Sequence, residues 1–328
     1  MKKTLITGGA GFVGRHLCKA LLDANYEVTC VDSIVPLTGG IDPETSGWPL
    51  YNPFDYKNFK FLKQDCRAFF ETNNDTDFDY VFHLAAMVGG REMIEYNPLA
   101  VAEDLAIDSM FWKWAKKVNC EKVICFSSSA SYPIKYQARD SYKLLHENMI
   151  DFSKDIGFPD LSYGWAKLTN EYLGILAYKC HGIKSVTFRP FSGYGEDQDM
   201  AYPFPSICAR ALREKNSHVF RVWGTGEQMR DFIHIEDCIK GILLMMDKIN
   251  DGSAVNLSTG KLSSFKTFAK IATNIVGYNC DIQGTSDKPE GVFARGGDTS
   301  KQESLNFIPK ITLDEGIERG LKFIESLL

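Results

Sequence analysis

The chain has 328 residues, 44% of them apolar, and a formal net charge of −5. That length suits one large α/β domain or two lobes sharing a cleft, and the acidity argues against a basic surface for nucleic acid or a membrane. Nine cysteines spaced singly and six histidines without ligand spacing argue against a disulfide framework or a structural metal site.

The N-terminal apolar run is too short for a signal peptide and is cut by glycines. No later run approaches the length of a membrane span, so a cytoplasmic protein is expected. Residues 2–7 read as a β-branched strand ending in glycines, and 12–25 carry apolar residues at helical spacing. A second strand covers 26–32. The stretch 33–56 is rich in Pro, Gly and Thr and is expected as a long loop near a site mouth. Strands follow at 59–65 and 78–86. One long helix is expected over 98–118, starting at Pro98, then a buried strand at 121–129. A helix over 161–181 and a sixth strand at 183–190 complete the alternation.

This order predicts a doubly wound α/β fold whose parallel sheet is covered on both faces. The pattern weakens in "FSGYGEDQDMAYPFP" (191–205), and shorter elements at 218–224 and 263–277 imply a smaller C-terminal α/β lobe. The expected division is 1–190, with 231–257 returning to it, against 191–230 and 258–328.

"LITGGAGFVGRHL" follows the first strand and opens the first helix. Gly8, Gly11 and Gly14 are spaced by three, and Gly9, Gly11 and Gly14 also satisfy G-x-G-x-x-G. Glycine permits close approach of a dinucleotide pyrophosphate, and the helix N-terminus offers free N–H groups. Phe12 and Val13 complete the turn. Asp32 ends the second strand, near the expected distance of about twenty residues on. A carboxylate there accepts from both ribose hydroxyls and repels a 2′-phosphate, which selects NAD over NADP. Asp65 and Cys66 follow the third strand, where Asp65 is placed to face an adenine. Leu84, Ala85 and Ala86 at the end of the fourth strand, and Ser127 near the end of the fifth, line the same edge.

The combination of "TGGAGFVG" (7–14), "HLAA" (83–86), "FSSSA" (126–130), "YGWAK" (163–167), "GTGEQMRDFIHIEDC" (224–238) and "NLSTG" (256–260) resembles the extended short-chain dehydrogenase/reductase family, in its nucleotide-sugar branch. The resemblance implies a Rossmann-type lobe holding NAD and a C-terminal lobe holding a nucleotide-diphosphate sugar. It makes Tyr163 the general base and Lys167 its electrostatic partner. Four residues apart on a helix, they share one face, and an ammonium favours a neighbouring phenolate. A serine of the loop would bond the reacting oxygen. Matching "SSSA" selects Ser129, whereas counting back from Tyr132 selects Ser128, and both are kept.

Extra acid/base groups distinguish reactions within the branch. The loop "SSSASYP" (127–133) lacks the Asp-Glu pair of 4,6-dehydratases, and Ala130 stands where GDP-mannose 3,5-epimerases and GDP-fucose synthases carry a cysteine. Yet "MVGG" (87–90), "NPLAVAEDLAI" (97–107) and "KPEGV" (288–292) resemble those GDP-sugar enzymes. Epimerisation at C4 through transient hydride removal needs the fewest groups and is the preferred expectation. The alternatives are a GDP-sugar 3,5-epimerase/4-reductase or a 4-dehydrogenase, then a less favoured 4,6-dehydratase and, least favoured, an NAD sensor. His83, His234 and Lys135 are further acid/base candidates.

Two positions depart from the family: Asp104 and Ser192 stand where Asn is common. Arg230 and Arg295 match diphosphate contacts, with surface pairing to Asp231 or Asp298 as the plain alternative. Met87, Gly89, Arg91 and Ser192 are placed near the sugar. The nucleotide is UDP or GDP. A homodimer is implied through the helices near 98–118 and 161–181.

Overall fold

Apolar strands covered on both faces organise the chain in a computed structural model, which describes residues 1–35, 38–73, 77–118, 120–215, 217–285 and 290–328. Two residues of the expected long loop, Pro36 and Leu37, and the first two of "KPEGV", Lys288 and Pro289, lie outside the described residues. In chain order the elements are β1 (Lys3–Thr7), α1 (Phe12–Asp23), β2 (Glu27–Asp32), β3 (Phe59–Lys63), α2 (Cys66–Thr72), β4 (Tyr80–His83), α3 (Arg91–Tyr96), α4 (Pro98–Val101), α5 (Asp104–Ala115), β5 (Lys122–Phe126), α6 (Leu161–His181) and β6 (Ser185–Pro190). There follow β7 (Ser192–Tyr194), α7 (Pro203–Arg213), β8 (Val219–Trp223), β9 (Met229–His234), α8 (Ile235–Met245), β10 (Asp251–Leu257), β11 (Leu262–Ser264), α9 (Phe265–Val276), β12 (Asp281–Thr285), β13 (Ala294–Arg295), α10 (Ser300–Ser304) and α11 (Leu313–Glu325).

Seven strands form one parallel sheet in the order β10-β6-β5-β4-β1-β2-β3. Strand progression reverses between β1 and β4, and a crevice opens at such a point beyond the strands' C-terminal ends. Leu17 and Leu21 of α1 and Ile239 and Ile242 of α8 cover one face. Phe69 and Phe70 of α2, Phe111 and Trp114 of α5 and Ala177 of α6 cover the other. Burying each leucine, isoleucine or phenylalanine among them contributes about 1.5–3 kcal/mol. A further core joins α7, α9 and α11 to β8 and β9. Here β9 pairs with β7, β11 and β13, and β8 pairs with β12.

The single helix expected over 98–118 is a correction. Two helices, α4 and α5, occupy the stretch, separated at Ala102 and Glu103, and α5 ends at Ala115. Ala and Glu are good helix formers, so propensity gives no warning. The break lets Asp104 accept the backbone N–H of Met87 from the loop after β4. The short helices α2 and α3 were also missed, being too brief to show a period.

One buried polar network ties β6 to α6. Arg189 is 3% exposed and donates to both oxygens of Glu171, 1% exposed, and to the Tyr132 hydroxyl. Glu171 also accepts from Ser127, which bonds Ser131. Charge-assisted bonds of this kind offset the desolvation of both ions, and loss of either partner strands the other. The network fixes the serine loop against the helix that carries Tyr163.

Candidate functional site

The crevice begins at the turn after β1. Gly8 has φ +73°, and a Cβ on it would lie 2.6 Å from the Ala85 nitrogen. A Cβ on Gly14 would lie 2.5 Å from both the Gly8 oxygen and the Gly9 Cα. Backbone packs on backbone there, so the absence of side chains is required. Gly11 is the N-cap of α1 and makes no side-chain cap bond, leaving helix N–H groups for an anion. Phe12 and Val13 begin α1 and pack partly buried against the core below. Replacing Gly14 with alanine is expected to cost about 2 kcal/mol of stability through overpacking. Urea unfolding would read that loss, and the purified variant should carry less NAD than wild type.

Asp32 is buried at the end of β2. Its Oδ2 accepts from Ala10 N at 3.0 Å and its Oδ1 from Ile34 N at 2.8 Å. Each oxygen keeps a further lone pair for a ribose hydroxyl. Burial pushes this carboxyl upward, against the pull of those amides and of Arg15. Ile34 sits at φ +55°, a left-handed conformation that strains a β-branched residue beside the site. The side-chain-free turn, uncapped helix end and buried carboxylate fit a dinucleotide.

Asp65 and Cys66 have local duties. Asp65 caps α2, accepting Arg67 N at 2.8 Å, and pairs with the Arg67 guanidinium, which lowers its pKa. The Cys66 thiol is buried and pushed up to about 12 by desolvation. Leu84 N donates to Thr7 O at 3.0 Å, and Ala85 faces Gly8. Ala86 and Met87 continue the half-buried loop, and Gly89 is buried.

Tyr163 and Lys167 lie one turn apart in α6, with the Lys167 ammonium 5.7 Å from the Tyr163 ring centre. Burial lowers the Lys167 pKa, but Asp104 and the other acids nearby raise it further, for a net upward shift. Asp104 Oδ2 stands 3.5 Å from the ammonium. Leu161, at φ +53°, sits two residues before Tyr163 and strains the start of α6. The serine turn is clasped to that start: Asp160 N donates to Ala130 O at 2.9 Å. Ser128 Oγ accepts Ala130 N at 3.1 Å, which leaves its proton to donate elsewhere. Ser129 is buried in the same turn, and the Ser127 hydroxyl is taken by Glu171 and Ser131.

Three guanidiniums converge beyond the serine turn. The β13–β9 register sets Arg295 opposite Arg230. Arg91 and Arg230 approach Gly291 from two sides, with Arg91 Cζ at 3.3 Å and Arg230 Nη2 at 3.6 Å from where its Cβ would lie. Asp160 Oδ2 accepts from Arg91 Nη1 and Arg295 Nη2, each at 2.8 Å. Arg295 Nε also donates to Gln137 Oε1. Arg230 bonds only backbone carbonyls, those of Met229 and Glu290, among the described residues. Burial, then Arg295 and Arg91, push its pKa down to about 9. Such a cluster of positive charge favours an anion with several acceptor oxygens.

The plain ion-pair alternatives do not describe these arginines. Asp231 is fully buried and holds Ser258, Thr259 and the amides of Gly260 and Gly297. Ser192 lies on β7 opposite Phe232, half-buried. His83 bonds Thr7 and Asp108 and stacks on Phe111, with burial lowering its pKa. His234 caps α8, and Lys135 is exposed over Tyr136. These three serve structure or face solvent. His146, Glu147 and Asp298 offer ligand atoms within 4.8 Å of one another. However, His146 Nδ1 and Glu147 Oε1 already accept backbone N–H groups.

Sequence reasoning missed Asp160 and Gln137, and it left Asp104 without a partner. Asp160 occupies the N-cap position of α6, yet spends its carboxylate on two arginines instead of on the helix. Its place three residues before Tyr163 was the only signal.

The signature of the NAD dependent epimerase/dehydratase family matches residues 4–258. An uncharacterised protein of Methanocaldococcus jannaschii is 30% identical over 97% of this chain and 94% of its own length. An uncharacterised UDP-glucose epimerase of Bacillus subtilis is 28% identical over 99% of this chain and 98% of its own. Among solved structures, UDP-glucuronic acid 4-epimerase from Bacillus cereus, in complex with UDP-glucuronic acid and NAD, superposes with a TM-score of 0.81. It is 25% identical, and the match covers 99% of this chain and 100% of that one.

Proposed function

The chain belongs to the NAD-dependent epimerase/dehydratase family, and we propose that it epimerises a nucleotide-diphosphate sugar at C4 through a transient 4-keto sugar. One observation carries the reading: α6 joins the two ends of the site. Its first turn presents Tyr163 and Lys167, and its N-cap residue, Asp160, holds Arg91 and Arg295.

NAD, when bound, supplies the hydride acceptor and donor. The glycine turn of Gly8, Gly11 and Gly14, with Asp32, Leu84, Ala85 and Ala86, would hold it, and Lys167 would reach its nicotinamide ribose. Tyr163 takes the proton of the C4 hydroxyl and returns it to the same oxygen once the 4-keto sugar has turned its other face to the hydride, while Ser128 and Ser129 offer hydroxyls to that reacting oxygen. Arg230, Arg295 and Arg91 neutralise the diphosphate, with Met87, Gly89 and Ser192 nearer the sugar. On this reading residues 1–190 and 231–257 serve the cofactor, and the remainder serves the sugar nucleotide. The UDP-sugar relatives support UDP, with GDP as the second candidate.

The reading extends to a homodimer formed through α5 and α6. Leu105, Leu161, Trp165 and Tyr172 present exposed apolar surface there. No helix among the described residues is long and apolar enough to cross a membrane. We place the protein in the cytoplasm, in keeping with nine free cysteines.

A panel of UDP-, GDP-, CDP- and dTDP-sugars, followed by mass spectrometry and NMR, tests the reaction. Inversion at C4 without mass change is expected. Loss of water, or one NAD consumed per turnover, would refute epimerisation.

A further inference from the structure

The proton-transfer pair has a third, acidic neighbour. Asp104 opens α5, is 1% exposed, and stands with Oδ2 3.5 Å from Lys167 Nζ. Its Oδ1 accepts the Met87 N–H, and its Oδ2 makes no hydrogen bond of ordinary geometry among the described residues. One turn on, Asp108 is 2% exposed, and its Oδ2 is likewise without such a bond. A buried carboxylate oxygen left without a hydrogen bond is costly, so its position beside an ammonium has an electrostatic reason.

We propose that Asp104 is a positioning residue for proton transfer, anchoring the Lys167 ammonium from the α5 side and setting how much of its field reaches Tyr163. This rests on the assignment of Tyr163 and Lys167 as the proton-transfer pair. An ionised Asp104 offsets part of the ammonium's field, and a neutral one releases it to the phenol. The groups facing this point are Lys167 and Tyr163 from α6, Asp108 from α5, His83 from β4 and the buried thiol of Cys125 on β5, with the Cys66 thiol of α2 on the Asp108 side. Burial lifts the Asp104 carboxyl to about 6, against the pull of Lys167 and with a push from Asp108. Asp104 therefore changes charge within the working range of a proton-transfer enzyme.

The test compares wild-type holoenzyme with Asp104→Asn. It uses two readouts, the acid limb of the kcat/KM profile and the ultraviolet phenolate absorbance that Tyr163→Phe removes. Removing the acid's charge should move both midpoints down by roughly one pH unit. Wild type should also show an inflection near pH 6 that the variant lacks. Asp104→Glu keeps the charge and should restore the wild-type midpoint. Asp104→Ser, with a hydroxyl to accept Met87 N–H, is the second charge-free variant should asparagine impair folding.

Coincident midpoints in wild type and a charge-free variant would overturn the proposal. So would Asp104→Glu behaving like Asp104→Asn, which would mean packing instead of charge. The absorbance needs no sugar nucleotide, so it judges Asp104 separately from the substrate. Failure of the sugar panel with a shifted absorbance would refute epimerisation and leave the Asp104 coupling standing.

Discussion

Replacing Tyr163 with phenylalanine is expected to lower kcat by about three orders of magnitude while leaving NAD bound. Phe keeps the ring that lies beside the Lys167 ammonium and removes only the hydroxyl. General acid–base catalysis supplies about 10²–10⁴-fold, and in the proposed reaction this single group would both take and return the proton. The glycine turn and Asp32 do not depend on the hydroxyl, so the variant should release as much NAD as wild type on denaturation. Turnover within tenfold of wild type would remove Tyr163 from the chemistry. An equal fall in bound NAD would instead indicate a structural lesion.

Replacing Arg230 with methionine should raise KM for the sugar nucleotide by about a hundredfold and change kcat by only a few-fold. The guanidinium is half-buried beside two others and bonds only to carbonyls among the described residues, so its charge is held ready for an anion. Removing a charge-assisted contact costs about 2–3 kcal/mol, which corresponds to roughly that factor in affinity. The diphosphate does not react, so the loss should fall on ground state and transition state alike and appear in KM. Titration with the free nucleoside diphosphate should show the same weakening. An unchanged KM would place the diphosphate elsewhere.

How much of the site could be read from the sequence depended on how local each part is. The Gly8–Gly14 turn and Asp32 are short-range features, because the strand, turn and helix that need them are adjacent in the chain. Tyr163 and Lys167 were legible for the same reason, since helical spacing alone puts them on one face. The convergence of Arg91 with Arg230 and Arg295 was not legible. It depends on the pairing of β13 with β9 and on a carboxylate in another segment, and no local period encodes either. The break before Asp104 was hidden because Ala102 and Glu103 favour a helix, and a tertiary bond to Met87 decided the matter. The serine loop was legible as a motif but ambiguous in register. Its four hydroxyls divide between a buried acid and the open site only when Glu171 is seen beneath them.

The arginine cluster also has a history within each folding event. Its members and their shared acid come from Arg91, Asp160, Arg230 and Arg295, so long loops must close before the three charges meet, and closing them costs entropy that local turns avoid. The glycine turn joins strands and a helix that follow one another directly. A growing chain therefore possesses the elements of the cofactor end well before β13 exists. Arg91 and Asp160, its counter-ion in the folded chain, both precede Arg230 and Arg295 in the sequence. The third guanidinium joins Arg91 and Arg230 only through the pairing of β13 with β9, so the complete charge cluster depends on the last strand of the chain.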